Sequence, residues 1–222
     1  MDYSSFRTRF SGASRTEHIQ SRDEAGHPRS QMNGRHWILP ATAELPSEFI
    51  RLCPWEVEYL FTVARRARLG IIETGRFNGG SLFVMACASP DTVPITSVDI
   101  APQDDSLLTK LLSQLLPGRR IDLIVGDSQH TKYPHVGVAD LLFIDGDHSY
   151  EGCLADICNW YEKLAVGGHL ILHDAYLGTN GVQDAVLDFM QMHPELMVMR
   201  SPYIGAQHWH NSAGSLTHLV RR

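Results

Sequence analysis

The chain has 222 residues, 43% hydrophobic and 20% charged, with 19 Lys plus Arg against 25 Asp plus Glu for a formal net charge of −6. Such a composition fits one globular domain with a sizeable core. It argues against broad nucleic-acid or anionic-membrane binding, which needs a concentrated basic face. Residues 1–36 hold six Arg and four acids, so residues 37–222 carry −8, and bound cations are expected there.

In chain order, residues 1–36 are rich in Ser, Arg, Gly and His without apolar periodicity and read as a flexible arm or lid, leaving 37–222 as the domain. Trp55, Tyr59, Leu60, Val63, Ala64 and Ala67 recur at helical steps after Pro54, which predicts a helix starting there. Past Gly70 the pattern changes to short apolar runs separated by helical stretches. Ile71–Glu73 reads as a strand and Ser81–Ala88 as a buried helix. Ile95–Asp99 is a second strand, and Leu107, Leu108, Leu111, Leu112, Leu115 and Leu116 form a helical stripe that Pro117-Gly118 stops. Ile121–Val125 and Leu141–Ile144 are further strands with no convincing helix between them. Tyr150–Leu164 is a helix ended by Gly167-Gly168, followed by the strand His169–Leu172 and a helix over Val182–Met192. Two last strands, near Leu196–Arg200 and Ser215–Arg221, suit a closing hairpin. This alternation calls for an α/β fold, a mainly parallel sheet with helices on both faces.

The four cysteines, Cys53, Cys87, Cys153 and Cys158, show no metal-type or disulfide-framework spacing, and no apolar run approaches the roughly 18 residues of a membrane span. MDYSSFRTRF has no apolar signal core. A reduced, cytoplasmic setting without membrane attachment is the expectation.

In open α/β sheets ligands bind beyond the carboxyl ends of the strands, so the informative residues directly follow each apolar run. They are Glu73-Thr74-Gly75-Arg76-Phe77-Asn78-Gly79-Gly80-Ser81, then Asp99, Gly126-Asp127-Ser128, Asp145-Gly146-Asp147-His148 and His173-Asp174. Carboxylates gathered on one rim are costly without a cation or hydrogen-bond donors to compensate them. Gly75, Gly79 and Gly80 let a backbone approach a ligand closely, and Asp99, 24 residues beyond Gly75, is placed to accept from ribose hydroxyls. A plain structural glycine turn is the competing reading. Arg76 and Phe77 fill positions that a dinucleotide pyrophosphate loop keeps small, which favours a nucleoside without pyrophosphate.

ETGRFNGGS, SVDI, VGDS, FIDGDHSYEG and VGGHLILHDAY, in that order, resemble the class I S-adenosylmethionine-dependent methyltransferases, and among them the metal-dependent macrocin- and mycinamicin-type sugar O-methyltransferases. The similarity spans about residues 55–190. It implies a Rossmann-like methyltransferase fold, with a seven-stranded sheet ending in an antiparallel hairpin. It also implies methyl transfer from S-adenosylmethionine to a hydroxyl of a sugar or polyol of a natural product, with Mg²⁺ or Mn²⁺ assisting.

By the same resemblance Glu73 and Gly75 line the methionine part of the cofactor, with Asn78, Gly79 and Ser81 in the same motif. Asp99 holds the ribose, Asp127 and Ser128 bracket the adenine, and Asp145 borders the cofactor. Asp145 and Asp174 would bind the metal, His148 would be the general base, and His173 stands where those enzymes have a third acidic ligand. The chemistry needs these types because a hydroxyl is a poor nucleophile until a metal lowers its pKa and a base takes its proton.

Plainer roles compete. Asp145 could be a strand-end residue only, His148 a helix cap, and His173 an orienting partner of Asp174. Asp104 and Asp105 are expected to favour a helix start and nothing more, and Glu151 and Asp156 to lie on a solvated helix face. His208, Trp209 and His210 are left outside the metal site, while Trp37, Tyr176 and Trp209 are possible acceptor-pocket walls. The expected partner is a hydroxylated small molecule, with the chain assembled as a homo-oligomer. A catechol-type methyltransferase, a non-catalytic cofactor-binding subunit and a nicotinamide oxidoreductase are the rival functions.

Overall fold

Short apolar runs bounded by glycine and acids form the sheet, because only a strand buried on both faces tolerates consecutive apolar residues. In the computed structural model, which describes residues 45–46, 48–175, 181–200 and 216–222, these runs pair into seven strands. The strands are β1 (Ile71–Thr74), β2 (Ile95–Asp99), β3 (Ile121–Val125), β4 (Ala139–Ile144), β5 (Leu164–Leu172), β6 (Leu196–Arg200) and β7 (Thr217–Arg221). Their spatial order is β3-β2-β1-β4-β5-β7-β6. The first five are mutually parallel, and β7 runs antiparallel between β5 and β6. This is the mainly parallel seven-stranded sheet with a terminal antiparallel hairpin that the sequence predicts. The arm at 1–36 and Trp37, Tyr176, His208, Trp209 and His210 lie outside the described residues.

Among the described residues, five helices cover the sheet: α1 (Pro54–Ala64), α2 (Gly80–Ala88), α3 (Ser106–Leu115), α4 (Tyr150–Trp160) and α5 (Val182–Met192). Side chains alternate across a strand, so neighbouring residues feed opposite cores. Ile71, Ile95, Leu141, Phe143 and Ile171 pack with Leu60 of α1, Leu82 of α2 and Leu108 of α3. Ile72, Val98, Leu142, Ile144 and Leu170 pack on the other face with Ile157 of α4 and Phe189 of α5. No helix among the described residues is long and apolar enough to cross a membrane.

One boundary departs from expectation. Helix α4 stops at Trp160, a 3-10 turn covers Tyr161–Lys163, and β5 already begins at Leu164, so Gly167 and Gly168 lie inside a strand instead of ending a helix. The register shift between Ala139↔Leu164 and Leu141↔His169 absorbs the extra residues as an irregularity, with Gly167 at φ +81°. Such bulges are where strands carry glycine.

Strand order reverses between β1, whose chain moves outward to β2, and β4 on its other side. That switch point opens a crevice at the carboxyl ends, and two contacts shape it. The Gly75 N–H donates to the Val98 carbonyl, and the Asp145 N–H donates to the Thr74 carbonyl. Gly75 sits at φ +81° with the Asp145 carbonyl so close that any Cβ would collide with it.

Candidate functional site

A cavity of about 980 Å³ opens over these strand ends. Gly75, Asn78 and Ser81 line it from the β1–α2 turn, and Asp99 from the end of β2. Asp127 and Ser128 reach it after β3, Asp145 and His148 after β4, and His173 and Asp174 after β5. Five successive strand ends thus converge on one space.

Two expected cofactor residues stand back from it. Glu73 is fully buried in β1 and accepts hydrogen bonds from the hydroxyls of Ser81 and Ser97. Burial pushes its carboxyl up to about 7 against the help of those hydroxyls. Its contact with the cavity runs through Ser81, which lines it. Gly79 is the N-cap of α2 at φ +83°, backed by Leu108, and supplies the turn instead of a lining surface.

Asp99 is committed to the glycine turn as well as to the cavity. Its Oδ2 accepts from the backbone N–H of Arg76 at 2.6 Å and of Phe77 at 2.8 Å, and its Oδ1 from Ala101 at 2.8 Å. A carboxylate has about four acceptor sites, so a further donor can still be met. Asp127 organises the next loop by accepting from the N–H groups of Gln129 and His130. That loop is pinned from α4, where Asn159 and the Trp160 indole both donate to the Ser128 carbonyl. Tyr133 stacks on Trp160 with ring centroids 5.7 Å apart.

The densest chemistry is on the far side. Asp145, His148, His173 and Asp174 each offer a ligand atom, all within 4.8 Å of one another. His148 Nε2 stands 3.3 Å from Asp145 Oδ1, and its Nδ1 3.6 Å from Asp174 Oδ2. His173 Nδ1 lies 3.0 Å from Asp145 Oδ1 and 3.4 Å from Asp174 Oδ1. Asp174 holds a left-handed φ of 52°, a conformation costing of order 1–3 kcal/mol that persists where the surroundings impose it. The neighbouring carboxylates raise the proton affinity of both rings. The hydrogen bond to Asp145 raises His148 despite partial burial. Burial alone would lower His173, but the carboxylates of Asp145, Asp174 and Glu56 around it push it up to about 12. The same contacts outweigh burial at Asp145 and hold it below the usual carboxylate range.

The helix-cap alternative for His148 does not hold, because Ser149 occupies the N-cap of α4 and its hydroxyl accepts from the Gly152 N–H at 3.0 Å. Two other plain readings also fail. Asp156 is completely buried instead of solvated, takes a 3.2 Å hydrogen bond from the Thr74 hydroxyl, and is pushed by burial up to about 6. Asp105 does more than favour a helix start. It grips the Arg76 guanidinium through two bonds of 2.9 and 3.0 Å. Arg76 itself is buried and also donates to the Ser97 and Ile124 carbonyls, so a residue that fills the glycine loop turns inward and ties β2, β3 and α3 to it.

Glu56 joins the site without belonging to any strand-end motif. It lies on the buried face of α1, accepts from the Cys53 N–H at 2.9 Å and faces His173 Nε2 at 3.3 Å. The available signal was its place three residues after the N-cap, where an acid closes a capping box. Phe49, Arg51 and Leu52, just before α1, also line the cavity and carry no sequence mark.

Residues 72–175, just under half of the chain, match the family described as a methyltransferase domain. The chain is 27% identical over 125 residues to uncharacterized protein R132 of Acanthamoeba polyphaga mimivirus, an alignment covering 53% of this chain and 57% of that protein's length. Among solved structures, the SAH-bound methyltransferase PaMTH1 of Podospora anserina superposes with a TM-score of 0.59 at 17% identity, over 88% of this chain and 89% of its own. An O-methyltransferase from Bacillus cereus in complex with SAH gives 0.56 at 16%, over 82% and 87%. An rRNA methylase from Streptococcus thermophilus gives 0.54 at 17%, over 75% and 94%. At these identities the likeness is one of fold, and the fold is the Rossmann-like methyltransferase fold.

Proposed function

We propose that a chain carrying a methyltransferase domain over residues 72–175 transfers the methyl group of S-adenosylmethionine to a hydroxyl of a small molecule, a sugar or polyol of a natural product, with a divalent metal assisting. The observation that carries this reading is the gathering of Asp145, His148, His173 and Asp174 within 4.8 Å at one end of the cavity that Gly75, Asp99 and Asp127 also line. A module that only bound a nucleoside would have no use for that set.

The two ends of the cavity divide the work. Asp99 and Asp127 present acceptors suited to ribose and adenine donors, and the positive-φ turn at Gly75 removes side chains from the approach to β1. Asp145, Asp174 and His173 fit a divalent cation, two carboxylates being hard ligands and an imidazole a borderline one. When bound there, such an ion would lower the pKa of a substrate hydroxyl placed beside it. His148 takes the hydroxyl proton on a ring nitrogen while Asp145 orients the ring. The substrate oxygen then forms its bond to the sulfonium methyl carbon as the carbon–sulfur bond breaks in line, leaving the neutral thioether. Holding both partners in alignment supplies much of the acceleration.

An RNA acceptor, as named for one structural neighbour, is disfavoured by the net charge of −6, since phosphate neutralisation requires a basic face. Calorimetry with S-adenosylhomocysteine and NAD tests the cofactor, and tighter NAD binding refutes the reading. EDTA is expected to abolish turnover while leaving S-adenosylhomocysteine affinity intact, and full activity in excess chelator removes the metal. His148→Ala should slow single-turnover transfer by roughly 10²–10⁴-fold without changing cofactor affinity. A screen of sugars, polyols and catechols for methyl transfer identifies the acceptor.

A further inference from the structure

The surroundings of His173 distinguish its two nitrogens. The ring is nine-tenths buried, with side-chain exposure of 10%, and lies edge-on to Phe143. Nε2 faces a single carboxylate oxygen, Glu56 Oε2, at 3.3 Å. That oxygen is itself fixed by the Cys53 N–H at the start of α1, and Glu56 is 1% exposed. A carboxylate held so firmly accepts the Nε2 proton. Nδ1 is left facing the cluster, buried and without a hydrogen-bond partner. It stands 3.0 Å from Asp145 Oδ1 and 3.4 Å from Asp174 Oδ1.

A lone pair this close to two carboxylate oxygens is repelled unless a positive charge lies between them. The 3.0 Å spacing also matches neighbouring ligands around one ion with bonds of roughly 2.1 Å. Carboxylate behind imidazole is the arrangement that fixes a histidine's tautomer and orientation toward a cation and raises its basicity.

We propose that Glu56 is a positioning residue that presents His173 Nδ1 as the nitrogen ligand of the cation held by Asp145 and Asp174, so that the site prefers an imidazole-accepting transition ion such as Mn²⁺ over Mg²⁺. This rests on the reading of those two aspartates as metal ligands and goes beyond it, because it assigns a role to a residue on α1 and selects the class of ion. Imidazole suits first-row transition ions, whereas Mg²⁺ favours oxygen.

The test uses the full chain with Mn²⁺ and Mg²⁺ as probes, and S-adenosylhomocysteine binding in parallel. The unaltered protein should bind Mn²⁺ at least tenfold more tightly than Mg²⁺ and show nitrogen coupling in pulsed electron paramagnetic resonance of the Mn²⁺ form. The coupling should persist in His148→Gln and vanish in His173→Gln, and His173→Glu should narrow the Mn²⁺-to-Mg²⁺ ratio to threefold or less. Glu56→Gln should weaken Mn²⁺ binding 10–100-fold with Tm and S-adenosylhomocysteine affinity unchanged. If Glu56→Gln does not fold, the His173 variants and the spectrum of the unaltered protein decide. A folded Glu56→Gln with unaltered Mn²⁺ affinity overturns the positioning role. Coupling that survives in His173→Gln, or absence of Mn²⁺ binding, shows that only a proton bridges Nδ1 and the carboxylates, and overturns the ligand assignment. Failure of the methyltransferase reading looks different: Mn²⁺ binds as expected while S-adenosylhomocysteine does not.

Discussion

Replacing Glu73 by Gln should remove a pH-dependent destabilisation that the fold carries in its central strand. Glu73 is fully enclosed in β1, touched by two serine hydroxyls, and its carboxyl is raised from an ordinary 4.5 to about 7. Because the folded pKa lies above the unfolded one, the folded chain holds a proton that the unfolded chain has released throughout that interval. Stability therefore falls as pH rises from about 4.5 to about 7 and levels off above it. At roughly 1.4 kcal/mol per unit, the loss attributable to this one group is about 3 kcal/mol. Glutamine keeps the shape and can still bond Ser81 and Ser97, one through its oxygen and one through its amide, but it does not ionise. Urea unfolding of both proteins at pH 4.5 and pH 8 measures the effect as a double difference, which cancels every other titrating group. The variant should gain about 3 kcal/mol on the unaltered protein between the two pH values. An unchanged double difference would show that Glu73 is ionised in the native state across this range and would refute the burial reasoning.

Two further outcomes test how the strand ends are built. Gly75→Ala places a side chain at φ +81° against the Asp145 carbonyl, so it should cost about 2 kcal/mol or more. It should also weaken S-adenosylhomocysteine binding more than tenfold; calorimetry showing unaltered affinity would mean that the β1 and β4 ends are not coupled. Arg76→Ala strips Asp105 and two strand carbonyls of their shared donor and should destabilise by about 2–4 kcal/mol. A change below 0.5 kcal/mol in denaturant unfolding would show that the buried guanidinium is replaceable by water.

The strand ends were legible because parallel strands must be apolar throughout, so the first polar residue after each run marks the rim. Asp99, Asp127, Asp145 and Asp174 were all found in this way. Glu73 satisfied the same rule yet faces inward to two serines, since a short strand carries its last residues inside the sheet. Helical periodicity assigns Asp156 a face but cannot say what lies opposite it, and an acid at a helix start such as Asp105 carries no local mark of a distant partner. Asp156 meets Thr74 of β1, 82 positions away, and Arg76 turns back to Asp105 across 29.

The order of strands and helices, the turn chemistry and the acidic rim were fixed by local pattern, because apolar period and glycine placement act over a few residues. Which acids share a site, and which are sealed in the core, was decided only by the closing of the sheet. The reversal of strand order between β1 and β4 brings five separate loops over one cavity. The pairing of Glu56 with His173 joins α1 to the end of β5 across 117 positions. No local signal encodes that contact, since its partners meet only when α1 packs on the sheet and carries its capping acid beneath the histidine.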